Sequence, residues 1–141
     1  MTTSRRGSDT RPAGGNPSVG GEQAEQAALM QYAADLLRRG LKPGFNGYTR
    51  LVVCFRAGQI QWAKPRYREG VVRPGPTKPL GTEADLVTKV QALIASLIKA
   101  GRKPDMFGEA ELHMTFVGGQ CVAIERSFER HLRAEDLQKA S

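Results

Sequence analysis

Five consecutive residues, Lys64-Pro65-Arg66-Tyr67-Arg68, interleave cations with an aromatic ring, and Trp62 stands two positions upstream. Guanidinium and ammonium groups neutralise phosphates, and aromatic faces stack on unpaired bases, so the combination points to contact with nucleic acid. Arg50, Arg56, Arg73 and Lys78 lie around it. Residues 41–80 hold eight basic side chains against Glu69 alone, so they carry the whole net charge of +7. An excess so confined is a local electrostatic feature and not a general aid to solubility. The expected nucleic-acid contacts are Arg50, Arg56, Lys64, Arg66, Tyr67, Arg68, Arg73 and Lys78. The alternative partner is an acidic protein, with the chain acting as an adaptor or inhibitor that offers the same basic arm.

Acid–base chemistry has fewer candidates. His113 lies between Glu111 and Thr115, two residues from each, and His131 follows Arg130. A carboxylate near an imidazole can move protons, but polar residues that alternate along a strand more often form its wet face. A small enzyme using His113 and Glu111 is therefore the weakest of three readings, and the chain is expected to be non-enzymatic. It shows no Gly-rich phosphate loop, no paired ligand motif and no nucleophilic triad pattern. Cys54 and Cys121 have no ligand-like spacing, which argues against a zinc site or disulfide framework and predicts a reducing, cytoplasmic setting. No metal and no cofactor are expected. No apolar run approaches the roughly 18 residues of a spanning helix, so no membrane partner is expected either. Ser4-Arg5-Arg6 is not followed by the apolar segment that export requires.

The elements that must hold these side chains are organised by two breaks and a repeat. Residues 1–21 are rich in Gly, Pro, Ser and Thr, with Val19 the one large apolar side chain after Met1, and are expected to be a disordered tail. Residues 72–81, with Pro74, Gly75, Pro76, Pro79 and Gly81, read as a stiff linker. Between and after them the chain repeats at an offset of 61 residues: Ala34 to Ile60 laid over Ala95 to Cys121 matches at ten of 27 positions. The identities include Gly40/Gly101, Lys42/Lys103, Pro43/Pro104, Gly47/Gly108, Leu51/Leu112, Phe55/Phe116 and Gly58/Gly119. Glycines and prolines in the same order are structural punctuation, and an internal duplication explains them. Position 52, which matches His113, is Val52, so the scaffold has no need of the histidine.

Each unit reads as helix, strand, strand. The first, residues 22–71, opens with an amphipathic helix over 22–39, with Leu29, Ala33, Leu36 and Leu37 on one face. The second, residues 82–141, has Leu86, Val90, Leu93 and Leu97 at helical spacing after a Thr82–Asp85 capping box. Gly40 and Gly101 are expected to be left-handed caps with positive φ. Strands follow over 48–56 and 109–117, then tight turns at Ala57-Gly58 and Gly118-Gly119, then return strands over 59–64 and 120–126. A two-residue turn would set Trp62 opposite Val53, in the core, yet turn Val122 and Ile124 away from it. A short helix over 134–139 is expected to close the chain. One such unit is marginal alone. The predicted class is α+β: tandem α-β-β units forming a four-stranded antiparallel sheet with two helices on one face, a pseudo-dimer within one chain.

The second unit, roughly 85–133, resembles a family of short uncharacterised bacterial proteins with a helix, a Gly-led strand, a Gly turn and a strand ending Ile-Glu before basic residues. The features that carry the resemblance are Phe107-Gly108-Glu109, Phe116, Gly119, Ile124-Glu125-Arg126 and Arg130. The first unit departs from the pattern at Ala63-Lys64, where Ile-Glu would stand. The resemblance implies the helix–hairpin fold and no particular activity. The Gly-rich tail and small duplicated body also suit an accessory protein of a phage or mobile element.

Overall fold

Leu29, Ala33, Leu36 and Leu37 recur at helical spacing, and the helix they build, α1 (Val19–Gly40), buries all four. The computed structural model describes residues 19–70 and 78–131. The helix starts earlier than residue 22. Glu22 and Glu25 in its opening turns meet the Arg102 guanidinium at 3.9 and 2.9 Å, which ties this end of the helix to the second unit. The rest of the expected tail, the 71–77 part of the linker and the helix expected over 134–139 lie outside the described residues.

The second helix, α2 (Glu83–Gly101), is capped as expected. Thr82 Oγ1 accepts a hydrogen bond from the Asp85 N–H at 3.2 Å, and the Asp85 carboxylate accepts one from the Thr82 N–H at 3.2 Å. Its buried stripe is Leu86, Val90, Ile94, Leu97 and Ile98. Arg102, just past the end of α2, reaches the start of α1, while Arg38 near the end of α1 lies 3.8 Å from Glu83 at the start of α2. The two helices are therefore antiparallel. No helix among the described residues is long and apolar enough to cross a membrane.

Four antiparallel strands complete the α+β fold: β1 (Gly47–Arg56), β2 (Gln59–Glu69), β3 (Gly108–Val117) and β4 (Gln120–Arg130). Their order in the sheet is β2-β1-β3-β4, so the two hairpins meet along β1 and β3. The turns are the expected two-residue ones, with φ of 53° and 77° at Ala57 and Gly58 and of 59° and 79° at Gly118 and Gly119. In the β1–β3 ladder Leu51 faces its own counterpart Leu112, and Tyr48↔Thr115 and Cys54↔Glu109 lie symmetrically on either side. An approximate twofold axis passes there. Leu51, Val53 and Phe55 from β1 and Leu112, Met114 and Phe116 from β3 point into one core beneath both helices.

The units are also locked crosswise. A Cβ on Gly40 would lie 2.3 Å from the Phe116 ring, and one on Gly101 would lie 2.2 Å from the Phe55 ring. Each helix end thus admits the core aromatic ring of the other unit, and that close approach is why glycine stands at both positions. The expectation of left-handed caps is corrected: neither Gly40 nor Gly101 has positive φ. Each hairpin turn docks on the other unit's loop by matching bonds, Gly58 N–H to the Met106 carbonyl at 3.1 Å and Gly119 N–H to the Phe45 carbonyl at 2.8 Å.

Two strand expectations also change. Both return strands run further, β2 through Pro65 to Glu69 and β4 to Arg130. An edge strand tolerates proline when its nitrogen faces the open side, so Pro65 does not end β2. Register shifts between Cys54/Phe55 and Thr115/Phe116 mark one extra residue in each return strand, Gln61 in β2 and Val122 in β4. Phe55 therefore pairs with Ile60 but Cys54 pairs with Trp62, which moves Trp62 off the core face. The same bulge in β4 pairs Ile124 with core-facing Met114, so Ile124 packs against the core instead of turning away.

Candidate nucleic-acid interface

Strand alternation assigns each hairpin two faces. The helix side takes Leu51, Val53 and Phe55, and the helix-free side, which no helix covers among the described residues, takes Tyr48, Arg50, Val52, Cys54 and Arg56 of β1. Opposite them on β2 lie Arg68 (to Tyr48), Arg66 (to Arg50), Lys64 (to Val52) and Trp62 (to Cys54). Five of the eight expected contacts, Arg50, Arg56, Lys64, Arg66 and Arg68, thus share one surface. No carboxylate of the first hairpin joins them, because Glu69 pairs with Gly47 on the helix-side alternation.

Arg50 and Arg66 face each other directly across two strands, an arrangement that like charges disfavour. The Arg50 guanidinium lies 3.4 Å from Glu111 and 5.7 Å from the centre of the Tyr48 ring, and its buried Nε has no hydrogen-bond partner. Lys64, Arg66 and Arg68 are exposed and recur at every second position of an edge strand. Trp62 is 37% exposed, with the Lys64 ammonium 4.8 Å from its ring centre. Trp62 is a surface residue, and the expectation that it lies in the core is corrected.

Three expected contacts stand apart. Tyr67 pairs with buried Thr49, so it lies on the helix side, where the Arg39 guanidinium sits 4.0 Å from its ring centre. Lys78 is two residues from Leu80, whose N–H donates to the Cys121 carbonyl at 3.0 Å, and so belongs to the opposite edge of the sheet. Arg73 lies outside the described residues. Tyr48 and Trp62, in contrast, join the helix-free face. Alternation against Leu51 and Val53 was the available signal for Tyr48; the bulge that exposes Trp62 left none.

The second half of this face reverses the first. Its side chains are Glu109, Glu111, His113 and Thr115 of β3 and Ala123, Glu125, Ser127 and Glu129 of β4. Under the 61-residue offset Glu111 replaces Arg50, Glu125 replaces Lys64 and Glu129 replaces Arg68, while Ala123 stands for Trp62. Glu111 and Arg50 are both counterparts and partners. His113 meets Glu125 at 3.7 Å and the Tyr48 ring edge-on at 5.0 Å. The two residues of the enzymatic reading are thus engaged separately, Glu111 with Arg50 and His113 with Glu125.

Among the described residues no three His, Cys, Asp or Glu side chains are grouped to hold a metal ion. The thiols are also quiet. Desolvation, then Glu109, pushes Cys54 up, and desolvation pushes Cys121 up to about 11. Both remain protonated at neutral pH and neither is a ready nucleophile. Compared with known protein families, curated proteins and solved structures, the chain matches none.

Proposed function

We propose that the chain is a non-enzymatic nucleic-acid-binding protein whose contact surface is the helix-free face of its first hairpin. One observation carries this reading: Arg66 stands directly opposite Arg50, flanked by Lys64 and Arg68, with no carboxylate on that half of the face. Such a cluster repels itself in the free protein, and a polyanion relieves the repulsion while releasing its own counterions. An acidic protein would satisfy the same charges. A peptide cannot, however, pair continuously along the open edge of β2, because Pro65 leaves a gap in its row of donors.

The test is a pull-down with tagged protein at low salt, with and without nuclease, beside the triple variant K64E/R66E/R68E. The expected result is nucleic acid retained by the native chain, lost on nuclease treatment and lost in the variant, whose circular dichroism stays native because all three side chains are exposed. An acidic protein that survives nuclease treatment, or a variant that retains its nucleic acid, would contradict the proposal.

A further inference from the structure

The helix-free face is cationic over two strands and anionic over the next two. We infer that its ligand is a single-stranded polynucleotide laid along β2, with Trp62 as a base-stacking platform and the glutamates of the second hairpin as a fence against duplexes. This rests on the nucleic-acid reading above and adds the class of ligand.

Strands in a sheet lie about 4.8 Å apart, so the cationic stripe formed by β1 and β2 is about 10 Å wide. The two backbones of a duplex are separated by grooves of about 12 and 6 Å. If a duplex lies across the sheet with one backbone on Lys64, Arg66 and Arg68, the backbone on the far side of its groove of about 12 Å passes over β3 and β4, where it meets Glu109, Glu111, Glu125 and Glu129. A single strand has no second backbone and avoids them.

Lys64, Arg66 and Arg68 project from every second residue of one extended strand, about 7 Å apart. That repeat suits successive phosphates of one strand, so the three cations mark the track of a single backbone. Trp62 lies at the hairpin end of the stripe, and Tyr48, opposite Arg68, lies at the other, beside a shallow depression lined by Gly47, Tyr48, Arg68, Glu69 and Gly70. Stacking on a tryptophan ring needs a base already free of its partner, which a single strand presents and a duplex does not. Trp62 to Arg68 spans about 20 Å, room for roughly four nucleotides.

Trp62 is the one tryptophan in the chain, so its fluorescence reports the site directly. The experiment titrates the full chain at fixed low salt with oligothymidylate, oligouridylate and a dA–dT duplex of equal length. The expected result is quenching by one or both single strands, with the duplex bound at least tenfold more weakly. The variant E109K/E125K/E129K should narrow that gap to a few-fold, and W62A, followed by fluorescence anisotropy of labelled oligothymidylate, should bind about 5- to 150-fold more weakly. A duplex bound as tightly as the single strands would overturn this inference and leave the nucleic-acid reading standing. So would single-strand binding that leaves the Trp62 emission unchanged. No binding of any of the three polymers would overturn both.

Discussion

The two hairpins share a backbone and differ in almost everything that faces away from the helices. On the buried side the correspondence is close: Leu51 and Leu112 meet on the twofold axis, Phe55 and Phe116 occupy matching pockets, and Gly40 and Gly101 make room for them. On the helix-free side Arg50, Lys64 and Arg68 stand where Glu111, Glu125 and Glu129 stand, and Trp62 stands where Ala123 stands. The buried face answers to packing, where a change of one methylene is felt, so both copies keep the same solution. The wet face carries little of the folding energy, and surface substitutions there usually cost under about 0.5 kcal/mol. Two units of like fold can therefore differ in charge without differing in fold. This also explains why one half opposes Arg50 to Arg66, at a cost to stability, while the other places Glu111 opposite neutral Ser127.

The largest effects are expected in the core. Phe55→Ala and Phe116→Ala should each cost about 3–5 kcal/mol in urea unfolding, because each empties a pocket built by the other unit. Losses that differ by more than about 1 kcal/mol would mean that the units are not structural equivalents. Next comes charge. K64E/R66S/R68E gives the first hairpin the residues of the second and should abolish binding at moderate salt. At low salt the slope of log affinity against log salt should fall by about two, at about 0.7 per lost phosphate contact. R66S alone should weaken binding, yet raise stability by roughly 0.2–1 kcal/mol once the like-charge pair with Arg50 is gone. A drop in stability would show that Arg66 has a structural partner. The smallest effect belongs to Trp62→Ala, whose unfolding free energy should move by less than about 0.5 kcal/mol. A loss of several kcal/mol would return Trp62 to the core.

Most of the fold was legible in the residues themselves. The 61-residue repeat, the apolar stripes of both helices, the Thr82–Asp85 cap and the two-residue turns are local patterns, and local patterns survive tertiary context when they agree with one another. What failed was non-local. Gly40 and Gly101 look like caps because glycine ends helices, but the ring that requires each of them comes from the other half of the chain. The extra residue in each return strand has no mark in the sequence, and a shift of one residue exchanges the faces of everything beyond it. Trp62 changed sides for that reason, while Tyr67, on a strand that continued past Pro65, fell on the helix side away from Arg66 and Arg68. The basic arm was visible as composition, whereas its division into a cationic and an anionic half required the sheet order to be known.

The proposal that the first of two like hairpins is the binding surface is tested most directly by a residue-resolved titration. A single-stranded oligonucleotide added to ¹⁵N-labelled protein should shift backbone amide resonances along β1 and β2, strongest around Trp62 to Arg68. The counterparts around Ala123 to Glu129 should stay nearly still. Equal shifts in both hairpins, or shifts confined to α1 and α2, would contradict the account.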